Sequence, residues 1–338
     1  MKAIVCSDFG PIQNIEYKDV KEPIIQSESV IINVKSVGVN FPDGLLVQGK
    51  YQLKPETPFI PGMEVAGEII RVGSSVENFK IGDRVTALSQ LSGYAEQAVV
   101  QEKKVFKIPP KMSFDDSCAL LCAYGTSHYA LKQRAKLQKN ELLVVLGASG
   151  STGIAAIQIG KIIGAKVIAV SSNPEKQKIA KDNGADISIG YDNLKEELKS
   201  ISNGKGVDVI FDPVGGDIFD TVARTMARSG RLLVIGFASG TIPKLAVNLA
   251  LVKEFSVVGV FWGAFTRGEP EEYKKNMIEL FDWYQKDLLK PLIEENYPLS
   301  EAAKVLEKIL ARGARAVSYT HLRAHETSLH LVCRLLLE

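Results

Sequence analysis

The chain has 338 residues, 46% hydrophobic and 24% charged, with 41 basic against 39 acidic side chains and a formal net charge of +2. That length exceeds one ordinary core and suits two domains. The charge balance excludes a basic nucleic-acid or membrane-surface partner, and no apolar run reaches membrane-spanning length. Cys6, Cys118, Cys122 and Cys333 lack the spacing of a disulfide framework, and Met1-Lys2-Ala3-Ile4-Val5 enters a strand directly, so a cytoplasmic location is expected.

From Lys2 to about Lys107 short strands alternate with turns, the clearest being Ile31 to Val34, Val65 to Val72 and Val99-Val100. Pro55, Pro58 and Pro61 break any helix across the middle, so this region reads as β-rich. After Pro109-Pro110 the stretch Ser113 to Ala135 reads as two apolar helical patterns joined near Gly125, a hinge into a second domain. Leu142 to Leu146 then reads as a strand buried on both faces, followed by a glycine turn and a long apolar helix. In that turn Ala148-x-Gly150-x-x-Gly153 is a variant of the dinucleotide fingerprint: missing side chains let backbone approach a pyrophosphate, and the helix N-terminus offers free N–H groups.

Further strands are expected at Lys166 to Val170, Ile187 to Ile189, Val207 to Phe211, Arg231 to Ile235 and Ser256 to Val260. Helices are expected after Asn173-Pro174, from Leu194 to Ile201 and from Asp217 to Arg228. Strand and helix in alternation predict a doubly wound parallel sheet. Helices at Glu271 to Gln285 and Ser300 to Arg312, the second with a Ser300-Glu301 cap, come after the sheet is complete and are expected to rejoin the first domain.

Several stretches together resemble the zinc-free quinone oxidoreductase branch of the medium-chain dehydrogenase/reductase superfamily. They are Gly38-Val39-Asn40-Phe41-Pro42-Asp43, Pro61-Gly62-Met63-Glu64-Val65-Ala66-Gly67, Gly82-Asp83-Arg84-Val85, Gly93-Tyr94-Ala95-Glu96 and Gly147 to Gly153. Asp212-Pro213-Val214-Gly215-Gly216 and Gly230 to Gly236 also fit, so the likeness runs from Met1 to about Gly313. It implies an α/β protein with a GroES-like β-rich catalytic domain, an inserted Rossmann domain and an active site in the cleft between them. The expected boundaries are 1–122 and 265–315 for the catalytic domain and 123–264 for the NADPH-binding domain.

Zinc-dependent relatives carry a Cys near the Asn40 position and a His where Met63 stands; neither residue here is a good zinc ligand, and no metal is expected. His128 lies in a helical segment without ligand partners, and Cys118 and Cys122 read as core residues. Without a Lewis acid, a quinone or α,β-unsaturated carbonyl is a better hydride acceptor than a simple alcohol is a donor, because its charge delocalises onto an oxygen that hydrogen bonds can stabilise. The resemblance implies Asn40 and Tyr51 as the donors and Thr126 as a residue facing the nicotinamide. Asn40 also suits a turn ahead of Asp43, Tyr51 an aromatic wall and Thr126 a helix cap beside Gly125. The resemblance also implies that Gly236, Phe237 and Ala238 line the nicotinamide edge.

An NAD site places an acid about twenty residues beyond the glycine turn, where the ribose 2′-hydroxyl lies. Here the strand ends Val170-Ser171-Ser172-Asn173, with Lys176 in the next turn, a set that favours the 2′-phosphate of NADPH. Lys176 alone also suits a solvated helix face. The cofactor set is therefore Ala148, Ser149, Gly150, Gly153, Ser171, Ser172, Lys176 and, from the resemblance, Tyr191, with Gly236, Phe237 and Ala238.

Relatives end in a Gly-Lys-x-Val-Leu strand, whereas residues 316–338 run Ala-Val-Ser-Tyr-Thr-His-Leu and onward, resembling translated sequencing-adapter DNA. This tail is expected to be non-native rather than a metal cluster of His321, His325, His330 and Cys333; if its residues are native, the sheet edge normally covered by the final strand is expected to lie open to aggregation. The function expected is an NADPH-dependent reductase of a quinone or enone small molecule, with no nucleic-acid or membrane partner. An enoyl-thioester reductase and a catalytically idle NADPH-binding protein are the alternatives. A homodimer is expected through the apolar edge Phe255 to Trp262.

Overall fold

Five consecutive apolar residues, Leu142–Leu146, can be accommodated only where both faces of a strand are covered, and all five are buried. In the computed structural model this strand lies inside a six-stranded sheet. The order across it is Ile187–Ile189, Lys166–Val170, Leu142–Leu146, Val207–Asp212, Met226–Val234 and Ser256–Gly259, and every pairing is parallel. The order reverses beside Leu142–Leu146, the doubly wound arrangement in which the carboxyl ends of the strands open a binding crevice. The structure describes residues 1–293, 295–311 and 320–323, which form two compact units.

The second unit is Ala119–Glu294 and holds this sheet. The first strands and the helix Leu194–Ile201 fall where the sequence places them. The helix expected to reach Arg228 instead spans Ile218–Ala223, because the neighbouring strand begins at Met226, which pairs with Val207. Gly125 is no hinge: it is helical (φ −58°, ψ −44°) between π-helical turns at Leu120–Tyr124 and Tyr129–Arg134. Its missing side chain admits Trp262, whose ring would lie 2.8 Å from a Cβ there.

The helix Pro270–Gln285 also belongs to the second unit, so the boundary expected at 265 lies at 295. Tyr273, Met277, Leu280 and Phe281 are buried along it, and Asn276 exchanges hydrogen bonds with Gln133. The boundary expected at 122 lies at 118, within the first helical segment after Pro110.

The first unit combines Met1–Cys118 with described residues from Glu295 onward. Its long strand Ser29–Val39 pairs antiparallel with Glu64–Val72 on one side and with Gln97–Gln101 on the other. Arg84–Leu88 and Val105–Lys107 extend the sheet. Ile32, Val34, Leu46, Val65, Ile69 and Val85 form the core, closed by Val305 and Leu306 of the helix Ala302–Leu310. That helix is entered by a 3-10 turn at Leu299–Glu301, so Ser300 lies within the turn rather than capping the helix.

The sheet edge expected to lie open is occupied. Thr320–Arg323 pairs with Val37–Val39 and with Asn296–Pro298, since a ladder requires only backbone donors and acceptors. His325, His330 and Cys333 lie outside the described residues, and of the tail only 320–323 are described. Among the described residues no helix is long and apolar enough to cross a membrane.

Within the second unit His128 is buried, its Nε2 2.6 Å from Glu279 Oε2, while Lys132 Nζ reaches both Glu279 oxygens. Burial holds the imidazole below its usual 6.5, and the His128 hydrogen bond, then Lys132, hold Glu279 down to about 2. The unfolded chain therefore takes up protons that the folded one does not, first below about pH 6.5 at His128 and then below about pH 4.5 at Glu279. The share of the urea midpoint that this pair contributes, read as parent minus variant, is expected to be level above pH 7 and to fall in those two windows, while Asp43, whose folded pKa is raised to about 7, moves the parent's own curve in the opposite sense. His128→Gln is expected to flatten the upper decline and Glu279→Gln the lower.

Candidate active site

The turn after Leu142–Leu146 is built from backbone. Gly147 has a φ of +56°, and the helix Ser151–Ile163 starts from Gly150 with no side-chain cap and no acid in its first turn. Its leading N–H groups are therefore left to bind an anion. A Cβ at Gly153 would lie 2.5 Å from Gly147 O and 2.8 Å from Ala148 Cα, so helix and turn touch where only glycine fits. Ala148 and Ser149 are buried under the turn. Gly147 N–H donates to the Tyr191 hydroxyl at 3.0 Å, joining the turn to the segment that follows Ile187–Ile189.

Two further loops leave the carboxyl ends of neighbouring strands. Asp212, buried at the end of Val207–Asp212, accepts from Val214 N–H at 2.7 Å and Gly215 N–H at 2.9 Å. Burial pushes its carboxyl up despite those two donors. Gly236, Phe237 and Ala238 run alongside, with Ala238 N–H donating to Pro213 O at 3.0 Å and Ser239 N–H to Val214 O at 2.9 Å. Thr126, half-buried in the helical turn Gly125–His128, follows helical residues and so is not a cap. Its neighbour Ser127 donates to Thr152 O at 2.9 Å, tying this turn to the first turn of the phosphate-facing helix.

At the end of Lys166–Val170, Ser171 is 2% exposed and its Oγ has no partner among the described residues. Ser172 is exposed, and Lys176 is half-buried in the first turn of Pro174–Asp182, its N–H capped by Asn173 Oδ1 at 2.9 Å. A buried, unsatisfied hydroxyl at a strand end without a carboxylate, followed by a cation in the next helical turn, suits a phosphate and not a bare ribose diol. Ala148, Ser149, Gly150, Gly153, Ser171, Ser172, Lys176 and Tyr191 thus fit a dinucleotide carrying an extra phosphate.

In the first unit, Asn40 precedes the helix Phe41–Val47. Its N–H donates to Asp43 Oδ2 at 2.8 Å, and Asp43 N–H returns a bond to Asn40 O at 3.0 Å. The Asn40 side chain also reaches the paired strand: its Nδ2 donates to Glu64 Oε1 at 2.7 Å. Glu64 is fully buried, and Gly38 makes its room, since a Cβ there would lie 2.0 Å from Glu64 Oε1. Asp43 is also fully buried and accepts from the Tyr94 hydroxyl at 3.0 Å. Burial pushes Asp43 up to about 7 against the Asn40 N–H and Tyr94 hydrogen bonds, with Glu64 adding to the rise. Tyr51 is half-buried against the core of the unit.

Sequence reasoning singled out Asn40 but not the Glu64, Asp43, Tyr94 and Gly38 set that holds it. All four stand in the stretches that carried the resemblance, yet nothing in their spacing pairs them. Among the described residues no group of three or more His, Cys, Asp or Glu could hold a metal ion.

Residues 26–110 match the family model described as alcohol dehydrogenase GroES-like domain, and residues 151–283 the model described as zinc-binding dehydrogenase. The quinone oxidoreductase-like protein 2 homolog of Nematostella vectensis is 36% identical over 316 residues, covering 92% of this chain and 86% of its own. Human quinone oxidoreductase is 32% identical over 314 residues, covering 92% and 94%. Among solved structures, a probable oxidoreductase from Mycobacterium abscessus superposes with a TM-score of 0.86 at 34% identity, covering 95% of this chain and 97% of that one. The Escherichia coli quinone oxidoreductase complexed with NADPH gives 0.88 at 26% identity, covering 96% and 100%.

Gly153→Ala sets a Cβ against backbone on both sides, so it is expected to cost about 1–3 kcal/mol of stability and to weaken dinucleotide binding. Gly160→Ala, in the same helix, meets side-chain ends rather than backbone, Leu143 Cδ2 at 2.7 Å and Val167 Cγ2 at 3.2 Å, and gains helix propensity, so its melting temperature is expected to change less. Thermal melts of the two variants check the contrast.

Proposed function

This chain belongs to the quinone oxidoreductase branch of the medium-chain dehydrogenase/reductase superfamily, and from that premise we propose that it is an NADPH-dependent, metal-independent reductase of a quinone or α,β-unsaturated carbonyl. The observation that carries the reading is the buried, unpartnered Ser171 hydroxyl at a strand end that bears no acid. NADPH in the Escherichia coli relative's structure supports the same cofactor.

The first-turn N–H groups of Ser151–Ile163 would hold the pyrophosphate, Ser171, Ser172 and Lys176 would hold the 2′-phosphate, and Thr126 with the loop Gly236, Phe237, Ala238 would serve the nicotinamide end. When bound, the cofactor supplies a hydride to the electron-poor carbon of the acceptor. The negative charge that this step places on the acceptor oxygen is met by the second N–H of the Asn40 amide, with Tyr51 as a further donor. Solvent or a hydroxyl of the site returns the proton. Holding the acceptor in one orientation supplies much of the rate.

The free Cys6, Cys118 and Cys122 suit a reducing compartment, and we place the protein in the cytoplasm. We also propose a homodimer. Among the described residues the strand Ser256–Gly259 is paired on one side, and Val257, Phe261, Leu251 and Val252 are exposed on it and near it in sequence, an apolar edge that a second copy can cover. Light scattering is expected to give twice the chain mass, and Val257→Lys to give the monomer.

Consumption of NADPH against a panel of quinones, enones and enoyl thioesters tests the activity. Turnover is expected on quinones or enones, and binding without turnover on any of the panel overturns the enzymatic reading. Lys176→Ala is expected to weaken NADPH about tenfold and leave NADH unchanged, as loss of one charge-assisted contact implies. A native preference for NADH would sink the cofactor assignment.

A further inference from the structure

We infer that Glu64 is the positioning residue of the acceptor site: its buried carboxylate fixes the orientation of the Asn40 amide, so that one N–H is anchored inward and the other is left for the acceptor oxygen. The inference rests on the reading that Asn40 meets the substrate. An unanchored amide flips between presenting N–H and presenting C=O at little cost, and only the first stabilises an anion. Here the flip is decided by chemistry. Glu64 Oε1 lies 2.7 Å from Asn40 Nδ2, and reversing the amide would set two acceptor oxygens against each other.

The carboxylate is itself fixed from behind. Glu64 opens the strand Glu64–Val72 and is fully buried, and its side chain fills the space left by Gly38 on the paired strand Ser29–Val39. The Asn40 main chain is fixed separately, through Asp43 Oδ2 at 2.8 Å, and Asp43 through the Tyr94 hydroxyl at 3.0 Å. Two buried carboxyls thus divide one residue between them, Asp43 holding its backbone and Glu64 its side chain. A negative charge beside a developing oxyanion opposes it, so any benefit from Glu64 comes from orientation and not from its charge. That separates the two variants Glu64→Gln and Glu64→Leu: the first keeps an acceptor oxygen and drops the charge, the second removes both.

The test compares Glu64→Leu, Glu64→Gln, Gly38→Ala and Asn40→Ala, with the Asn40→Ala/Glu64→Leu double variant, each checked for folding by its melt and for NADPH affinity by fluorescence. Gly38→Ala keeps both the Asn40 and Glu64 residues and displaces the Glu64 side chain from its place, so it carries the test if Glu64→Leu fails to fold. Glu64→Leu and Gly38→Ala are expected to lower kcat about tenfold or more with NADPH affinity unchanged, Glu64→Gln to stay within about threefold of the parent, and the double variant to be no slower than Asn40→Ala. Unchanged kcat in both Glu64→Leu and Gly38→Ala overturns the inference, as do losses that multiply in the double variant. A second readout stands apart from turnover: the Asn40 side-chain amide resonances, identified by their loss in Asn40→Ala. They are expected to be shifted and slow to exchange in the parent and in Glu64→Gln, and to relax to ordinary values in Glu64→Leu and Gly38→Ala. An enzyme that reduces none of the panel yet shows this pattern fails the proposed activity and keeps the positioning role; resonances unmoved in Glu64→Leu and Gly38→Ala remove that role whatever the activity.

Discussion

Between Leu146 and Ser151 the chain reverses from strand to helix in a space that only backbone fits, and the second unit is indexed to that reversal. Gly153 packs onto Gly147 O, which brings the helix start over the strand end. Three other segments take their places from the same few atoms. The Tyr191 hydroxyl accepts the Gly147 N–H, Val214 lies against the bare face of Gly147, and Ser127 donates to Thr152 O. The turn therefore does more than admit a phosphate. It is tied to the turn that carries Thr126 and to the Asp212 loop, to which Gly236 and Ala238 are in turn hydrogen-bonded.

The first unit is held at its site by the opposite device, side chains buried with their charge or their proton. Removing a carboxylate from water costs several kcal/mol, and hydrogen bonds must offset it. At Asp43 they do not offset it fully: Oδ1 has no partner among the described residues, and burial outweighs the Asn40 and Tyr94 donors, leaving the group at about 7. At Glu279 the balance falls the other way, because His128 and Lys132 donate to a carboxylate that keeps contact with solvent. The same side-chain chemistry thus gives a stability contact at one place and a polar group constrained in orientation at the other.

What was legible in the sequence follows the range of the interaction. Leu142–Leu146 is a continuous apolar run and Lys166–Val170 is one after its first residue, so composition marks these two, while in Ile187–Ile189 two apolar residues flank Ser188. Met226–Val234 starts earlier than its pattern indicates because Met226 is recruited by Val207, a pairing across 19 positions that no local rule contains. Gly125 reads as a break since glycine usually is one; its actual reason is the ring of Trp262, far away in sequence. Pro270–Gln285 follows the last strand of the sheet and so reads as a return to the first domain, but the residues that decide its place are its buried Tyr273, Met277 and Leu280.

The same distinction divides the site. A phosphate is bound by consecutive N–H groups of one turn, so the binding residues are neighbours in sequence and leave a motif, and even the absent acid after Val170 can be read at a fixed distance from it. Asn40 is different in kind. Its value as a donor depends on which way an amide faces, that depends on Glu64, which lies 24 residues away, and Glu64 in turn depends on the lack of a side chain at Gly38. A chain can display each of those three residues without disclosing that they act together. The pairing of Ser29–Val39 with Glu64–Val72 is what brings them to one place, so the setting of Asn40 is a property of the sheet register, whereas the glycine turn is a property of neighbouring residues.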